Sequence, residues 1–470
     1  MGAWTHYPPA AIDWAHLRPN AVLISHEHSD HFHPPTLAHF PRDLPIYVPD
    51  FPNRRMVNRL LAMGFTAVRS LPFGVSHDLE PGFTIVCLEP GSLWNDSVWL
   101  LDIHGTRVLD LGDAGLNPRI ASLVAPVDIV AAGFSPGASS YPLTWGNLGA
   151  DQKRQIMVTA KQGLIENLKQ SAEMYGADLV LPFASHFQLG YPPHLHFNYL
   201  IPKNTVADVV AAFEGSNVGV IDLLPGDAWN SVERNFLRYP RDGATLYQVA
   251  TVVDYLKRDF DPAVFAAHHP VEMRITIDEV VAYFDRFNHL TEIAYCEDLT
   301  FAITSTDGYA GPDITSVHFA ITGGRLSHVE PGATAPNVAI SLPSAVLAAI
   351  IQQEESWDEA LIGYWCQNYR SPDIYHSGFW RLLQAPHLDR SKLFNDSDLD
   401  GDRWMGANVA VADILERGGA EADRLLRRYG LYCMGCQHST SDTLAIAARS
   451  HGVNESQLSH LVAELARLKI

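Results

Sequence analysis

The first two hundred residues alternate short apolar runs with turns, a pattern typical of an α/β fold. One long helix is predicted from Lys153 to Tyr175, because apolar residues recur there at helical spacing. These residues are Ile156, Ala160, Leu164, Leu168 and Ala172. The predicted strands are Ala21–Ile24, Ile46–Val48, Phe83–Leu88, Val98–Ile103, Arg107–Leu111, Val127–Ala131 and Leu179–Phe183. Short apolar strands between turns and helices are buried in layered sheets, so we predict an α/β fold.

A different pattern begins after Val271, where strands follow one another directly. The predicted strands are Leu299–Ser305, Ser316–Ile321, Arg325–Val329 and Val338–Ser341. Helical sequence from Ala345 to Leu383 follows them, and then comes a polar, Asp-rich segment. We therefore predict a first domain at residues 1–249, an accessory α+β region at 250–390, a linker at 391–408 and a small helical domain at 409–470.

Composition limits the partners and the compartment. The chain has 470 residues, 47% of them hydrophobic, and a formal charge of −20, which disfavours nucleic acids and anionic membranes as partners. Neither a transmembrane helix nor a signal peptide is expected, because the chain has no long apolar run and no basic-then-apolar N-terminus. The scattered cysteines are too few for a disulfide framework, so a reducing cytoplasm is expected. They are Cys87, Cys296, Cys366, Cys433 and Cys436.

The most specific chemistry in the sequence follows the first of the predicted strands. His26-x-His28-x-Asp30-His31 places four metal-capable side chains within six residues. His26 and His28, at alternate positions of an extended chain, can face one ion, whereas Asp30 and His31 can turn toward another. The pattern predicts a dinuclear metal centre, and hydrogen-bonded surface histidines are the alternative.

The motif resembles the signature of the metallo-β-lactamase fold, in which two β-sheets lie between helices and a dinuclear site sits at the loop edge. Further segments resemble the CMP-N-acetylneuraminate hydroxylase family. They are Ile24–His31, Pro35–Leu37, Leu44–Val48, Gly137–Thr144, Pro182–Ala184, Trp357–Glu359 and Pro372–His376. The resemblance implies an αββα sandwich with oxidative activity and, in the latter half of residues 250–390, a sterol-carrier-like α+β unit.

The resemblance also implies two ligands after the cluster. Hydrolases of the fold carry a third histidine where this chain, around Cys87–Gly91 and Asn95–Ser97, has none. Glu89, after a predicted strand, is the candidate replacement, with a surface acid as the alternative, and Asp113 matches the bridging aspartate. A carboxylate in place of an imidazole makes the coordination sphere harder and more anionic, which favours iron over zinc.

The last ligand is expected after the strand Leu179–Phe183. His186 is the nearest imidazole, and His196 and then His194 are the alternates. One iron is then expected to take His26, His28, Glu89 and Asp113. The second is expected to take Asp30, His31, Asp113 and one histidine from residues 186–196.

We therefore predict a diiron monooxygenase that uses O₂ to hydroxylate a small organic molecule, with a dinuclear zinc hydrolase as the alternative. The chain lacks the paired C-x-H and C-x-x-H sequences of a Rieske centre, so an external donor such as a ferredoxin or reductase is expected. Only 25 residues precede His26, so we expect an N-terminal hairpin to be missing or supplied by a partner.

The C-terminal segment resembles a small helical domain of unknown function that carries C-x-x-C. Cys433 and Cys436 form this pair. Such a pair at a helix start suits redox exchange or metal ligation, and two reduced thiols packed against a helix are the alternative. A contact between copies of the chain, or docking of the electron donor, is expected of this domain.

Overall fold

A computed structural model gives the fold of most of the chain. It describes residues 4–468 except 9–11, 15, 52–53, 89–95, 138, 185–186, 239–246, 269–273, 291, 294–295, 333–334, 353–354, 389–408, 430, 432, 434–441, 451–452, 454–457, 459–460, 463 and 467. Within the described residues, no helix is both long and apolar enough to span a bilayer.

The N-terminal half contains β1 to β14 and α1 to α5. Its strands are β1 (Trp4–His6), β2 (Val22–Leu23), β3 (Ile46–Pro49), β4 (Val68–Leu71), β5 (Ser76–Glu80), β6 (Phe83–Leu88), β7 (Val98–Ile103), β8 (Thr106–Asp110), β9 (Ile129–Gly133), β10 (Leu179–Phe183), β11 (Phe187–Leu189), β12 (Gly219–Val220), β13 (Ala228–Asn230) and β14 (Asn235–Leu237). Its helices are α1 (Pro34–Leu37), α2 (Arg55–Ala62), α3 (Pro118–Val124), α4 (Ala150–Tyr175), α5 (Val206–Ala212) and a 3₁₀ helix at Pro192–Tyr199.

Two sheets face each other in this half. Seven of the described strands form one sheet in the order β12-β10-β9-β8-β7-β6-β5, and β2, β3 and β4 form a parallel sheet. Tyr47 and Leu71 of the smaller sheet pack against Ile85, Cys87 and Trp99 of the larger one. The apolar side chains that alternate along these strands are buried between the sheets because each strand projects successive side chains to opposite faces.

Helices cover the outer face of each sheet. Leu168, Ala172 and Tyr175 of α4 pack on the seven-stranded sheet, and Val57 and Leu60 of α2 pack on the parallel sheet. The order of layers is therefore helix, sheet, sheet, helix, which confirms the predicted α/β class and the metallo-β-lactamase type of sandwich.

Helix α4 differs from its prediction along its first half. It begins at Ala150, three residues before the predicted start, and its C-terminal half is buried as expected. Ala160, however, is exposed and Ile156 and Leu164 are only partly buried. Leu164 lines a cavity, and Ile156 packs against a different core from the one that covers the seven-stranded sheet.

The second half contains a five-stranded sheet. Its strands are β15 (Leu299–Thr306), β16 (Asp313–Thr322), β17 (Arg325–Val329), β18 (Val338–Pro343) and β19 (Gln367–Arg370), in the order β17-β16-β15-β18-β19. The helices of this half are α6 (Val249–Asp259), α7 (Pro262–His268), α8 (Ile277–Asp285), α9 (Ser344–Ile351), α10 (Trp357–Ile362) and α11 (Ser377–Leu388), with a 3₁₀ helix at Arg286–His289. We call β15 to β19 with α8 to α11 the five-stranded unit.

The prediction of uninterrupted helical sequence from Ala345 to Leu383 is wrong, because β19 lies inside it. Strand β19 carries the polar sequence Gln-Asn-Tyr-Arg and pairs with β18 at the sheet edge. Asn368 and Arg370 are nonetheless buried, because the backbone of Asn368 bonds to Thr144 and Gly146 of the N-terminal half. Contacts between residues far apart in sequence, and not hydrophobic periodicity, place this strand.

The C-terminal segment contains α12 (Val411–Arg428) and α13 (Leu444–Ser450). Val411, Ile414, Leu426 and Leu444 share an apolar core in which Cys433 is also buried. Cys436 and the predicted linker at 391–408 lie outside the described residues. The division into domains stays a prediction.

Candidate metal centre

The predicted histidine motif forms a loop, residues 25–31, that we call the His/Asp loop. It leaves β2 beside Ile24, whose amide donates to the Tyr47 carbonyl and continues the sheet pairing. The chain then turns, with the amides of His31 and Phe32 donating to the His28 carbonyl. Phe32 is fully buried in the core beneath. A tight turn anchored at both ends thus holds the polar residues of the loop at the edge of the sheets.

His26 lies at the centre of the first group of candidate ligands. It is 2% exposed. Its Nε2 atom is 3.0 Å from His28 Nδ1 and 3.7 Å from Asp96 Oδ1. Ligand atoms of His26, His28 and Asp96 lie within 4.8 Å of one another, which is compatible with one shared cation.

A second group shares His26 with the first. It contains His26, His31 and Asp113, whose ligand atoms also lie within 4.8 Å of one another. Asp113 Oδ2 is 3.2 Å from His31 Nε2 and 3.8 Å from His26 Nε2, so it lies between the two imidazoles. Asp30 Oδ2 is 3.7 Å from His31 Nε2 on the other side. Two overlapping groups of nitrogen and oxygen donors suit a pair of iron or zinc ions.

Serines hold the two imidazoles from behind. Ser25 Oγ lies 2.9 Å from His26 Nδ1 and 3.4 Å from His31 Nδ1. Ser97 Oγ in turn donates to the Ser25 carbonyl at 2.7 Å. Because these contacts engage the Nδ1 atoms, both Nε2 atoms face the carboxylates, where a metal would lie.

Burial and neighbouring charge set the protonation of the cluster. Burial, together with the rings of His28 and His31, lowers the pKa of His26 well below its usual value. Burial raises the pKa of Asp96 to about 6. Burial alone would lower the pKa of His28, but the adjacent Asp358 carboxylate raises it well above its usual value. The cluster therefore combines a neutral imidazole at His26 with carboxylates, of which Asp96 is buried, and such a donor set attracts cations.

Three acidic residues at this site are not among the ligands predicted from the sequence. Asp96 stands in a segment without histidine, although it lies two residues before β7 at the loop edge of the sheet. Asp358 Oδ2 lies 2.5 Å from His28 Nε2, and Glu359 Oε1 accepts from the Ser29 amide at 2.6 Å. Asp358 and Glu359 come from α10, some 330 residues away, and only their place in the Trp357–Glu359 segment marked them in the sequence.

Other predicted ligands lie elsewhere or outside the described residues. Glu89 and His186 are outside them, although β6 ends at Leu88 as expected. His194 is fully buried against the rings of Tyr309 and Trp365, at centroid distances of 4.2 Å and 5.5 Å. Among the described residues, neither His194 nor His196 belongs to a group of candidate ligands.

His196 is exposed, and its Nδ1 bonds to the Pro193 carbonyl at 2.9 Å. Both histidines lie on the 3₁₀ helix that follows β11. This helix directs His194 into an aromatic cluster and His196 toward the surface. This placement counts against both as ligands. At the other end of the chain, Cys433 is buried in an apolar core, which favours the packed-thiol alternative for this residue.

A cavity of about 480 Å³ opens beside the cluster. His28, Asp113 and Asp358 lie on its polar side, and Trp145 and Trp380 form part of its apolar wall. Both halves of the chain therefore contribute to one cavity. Its position beside the candidate ligands makes it a candidate substrate site.

Comparison with known proteins finds relatives similar in sequence over most of this chain. No protein-family model matches the chain. Cytidine monophosphate-N-acetylneuraminic acid hydroxylase of Xenopus laevis is 24% identical over 409 residues, covering 82% of this chain and 66% of that protein. The Pongo pygmaeus protein of the same name is 24% identical over 412 residues, covering 82% and 67%. The chain thus spans about two thirds of the length of these curated relatives.

Among solved structures, a possible metal-dependent hydrolase from Veillonella parvula is 15% identical and covers 44% of this chain and 74% of that one, with a TM-score of 0.30. The strand order and layers described above, and not this similarity, define the fold. Over 82% of its length, the chain is similar in sequence to the cytidine monophosphate-N-acetylneuraminic acid hydroxylases, and its described residues form a metallo-β-lactamase type of sandwich.

Proposed function

We propose that this chain is a diiron hydroxylase that inserts one oxygen atom of O₂ into a small organic substrate. The observation that carries the proposal is Asp96, a carboxylate grouped with His26 and His28. Three imidazoles would suit zinc, whereas this mixed set is harder and more anionic and suits iron in changing oxidation states. The similarity to hydroxylases is the second support.

Each candidate ligand has a place in this proposal. His26, His28 and Asp96 would hold one iron, and Asp30, His31 and Asp113 the other. Two ferrous ions bound there would supply the electrons that activate O₂. The balance is substrate C–H plus O₂, two electrons and two protons, giving substrate C–OH and water. An iron–sulfur or flavin protein is the expected source of the two electrons, since two ferrous ions must be restored after each turnover.

The cavity supports a small substrate without phosphate groups. Its described lining includes Asp30, Asp96, Asp113 and Asp358 but no lysine or arginine. Arg370, which lies behind the wall, stacks on Tyr141 and Trp145 and pairs with Asp373, so its charge is engaged. The relatives' name contains a nucleotide sugar, whose phosphate would gain no charge-assisted hydrogen bond from these side chains. We therefore favour a neutral hydroxyl- or amide-bearing molecule.

The test is to purify the protein without oxygen and measure bound iron and zinc by mass spectrometry, with Mössbauer spectra of the reduced protein. The proposal expects two coupled ferrous ions per chain. Oxygen uptake with ferredoxin kept reduced by NADPH and its reductase should then depend on added substrate, with neutral N-acetylhexosamines as the first candidates and CMP-N-acetylneuraminic acid beside them. A zinc-loaded protein that hydrolyses esters or amides without oxygen would refute the proposal and establish the hydrolase alternative.

A further inference from the structure

We infer that Asp358 and Glu359 of the five-stranded unit are positioning residues that complete the metal centre, with Asp358 fixing the tautomer of His28 and Glu359 fixing the backbone of the His/Asp loop. This inference rests on the proposed metal-binding function. It assigns to the five-stranded unit a role in the chemistry of the N-terminal half.

The first step concerns the two nitrogens of His28. Its Nδ1 lies 3.0 Å from His26 Nε2, inside the first group of candidate ligands. Its Nε2 lies 2.5 Å from Asp358 Oδ2. Because a carboxylate accepts hydrogen bonds, the proton of the ring is held on Nε2. The lone pair of Nδ1 is then directed at the position that a metal would share with His26 and Asp96.

The second step concerns Ser29, the residue after His28. Its amide donates to Glu359 Oε1 at 2.6 Å. Glu359 is 6% exposed, so water competes little for this hydrogen bond. A side-chain contact at His28 and a backbone contact at Ser29 thus hold two consecutive residues of the loop. Together they fix both the ring of His28 and the turn that directs Asp30 and His31 toward the second group.

The third step concerns how α10 itself is held. Trp357 is fully buried in the core of the five-stranded unit, and its Nε1 donates to the Tyr283 hydroxyl at 3.1 Å. Ser356 Oγ accepts from the Glu359 amide at 3.0 Å and caps the helix. Asp358 and Glu359 are therefore presented from a fixed helix, which is how a supporting residue maintains the geometry of a metal ligand.

The experiment compares metal binding by the wild-type chain with that of Asp358→Asn and Glu359→Gln. Asp298→Asn is the matched control, because Asp298 also accepts a backbone amide in the five-stranded unit, from Gly323, but lies on an exposed turn. Affinities for Zn²⁺ and Fe²⁺ are measured by competition with a chromophoric chelator. Asp358→Asn removes a supporting residue, so it is expected to weaken metal binding at one of the two sites about 10- to 100-fold. Glu359→Gln should weaken binding less, and Asp298→Asn should leave it unchanged.

A second measurement reads the tautomer directly in the wild-type chain and uses a variant only to assign the signal. Long-range ¹H–¹⁵N spectra of the zinc-loaded, [¹⁵N]histidine-labelled wild type should show one metal-bound ring whose Nε2 carries the proton. That ring is expected to be the signal missing from His28→Gln. A merely structural role for Asp358 would not select a nitrogen.

The outcomes separate the two proposals. A wild-type chain that binds no metal overturns both of them. A wild-type chain with two metal sites, together with Asp358→Asn of equal affinity, overturns only the role of Asp358. Spectra that show His28 bound to metal through Nε2 would likewise overturn the role of Asp358 alone.

Discussion

The His/Asp loop and helix α10 contact each other beside the metal centre but are built in opposite ways. The loop is polar, the two-residue strand β2 precedes it, and Ile24 and Phe32 are its apolar anchors. Helix α10 is as short, but Trp357 and Ala360 fix it in a large core of aromatic residues. Helix α10, from another part of the chain, thus adds contacts at His28 and Ser29 to the two apolar anchors of the loop. This explains how the metal-capable residues can converge without a hydrophobic core of their own.

The largest predicted effect on stability and metal binding comes from removing Trp357, which anchors α10 in its core. Trp357→Ala is expected to lower the free energy of unfolding by about 3–5 kcal/mol, because a fully buried aromatic side chain leaves a cavity. It should also weaken metal binding, because α10 carries Asp358 and Glu359. Urea denaturation and chelator competition measure the two effects.

Phe319→Ala is the control for Trp357→Ala. Phe319 is equally buried in the same core and stacks on Phe301 at 5.0 Å, but it lies on β16, away from α10. A similar loss of stability with unchanged metal affinity is expected. If both variants lose metal affinity equally, general destabilisation explains the loss and α10 has no particular role.

Local features of the chain could be predicted from its sequence. The bounds of β6, β7, β10 and β17 match their predicted ranges, because an apolar run flanked by turns has few other ways to bury itself. The His/Asp loop lies at a sheet edge as expected, because ligand spacing and strand end are both local. Asp113, which follows β8, also meets the loop as predicted.

Long-range pairing could not be predicted in the same way. Strand β19 is polar and gains its place from contacts with Thr144 and Gly146, while Asp358 gains its role from His28. Nothing in the periodicity of either segment encodes the partner. Asp96 is an intermediate case, because its position two residues before β7 marks it as a residue at the loop edge, whereas the replacement predicted for the third histidine is Glu89.

The next largest predicted effect is on the pH dependence of stability, and it contrasts His194 with the histidines of the loop. Aromatic rings surround His194, and burial lowers its pKa to about 3 from an ordinary 6.5. The unfolded chain therefore binds a proton between pH 6.5 and 3 that the folded chain does not, so stability falls as the pH falls through this window. At pH 5 the loss is about 2 kcal/mol.

His194→Phe should remove this loss. The difference in unfolding free energy between about pH 7 and about pH 5, measured with chelator present so that metal release does not contribute, should be about 2 kcal/mol smaller than in the wild type. Metal content at neutral pH should be unchanged. A variant that loses one metal ion would instead restore His194 as a ligand.

The smallest predicted effect comes from removing the N-terminal cap of α10 while Asp358 and Glu359 stay unchanged. Ser356→Ala removes the hydroxyl that caps the Glu359 amide, and Thr276→Ala removes the corresponding cap of α8, where Thr276 Oγ1 accepts from the Glu279 amide. Each substitution is expected to lower the free energy of unfolding by about 1 kcal/mol. Only Ser356→Ala should also weaken metal binding, and by no more than about five-fold, because about 1 kcal/mol is all the strain that the lost cap can pass to the loop. Equal metal affinities in the two variants would show that α10 holds the loop through the Trp357 anchor alone, with no contribution from its cap.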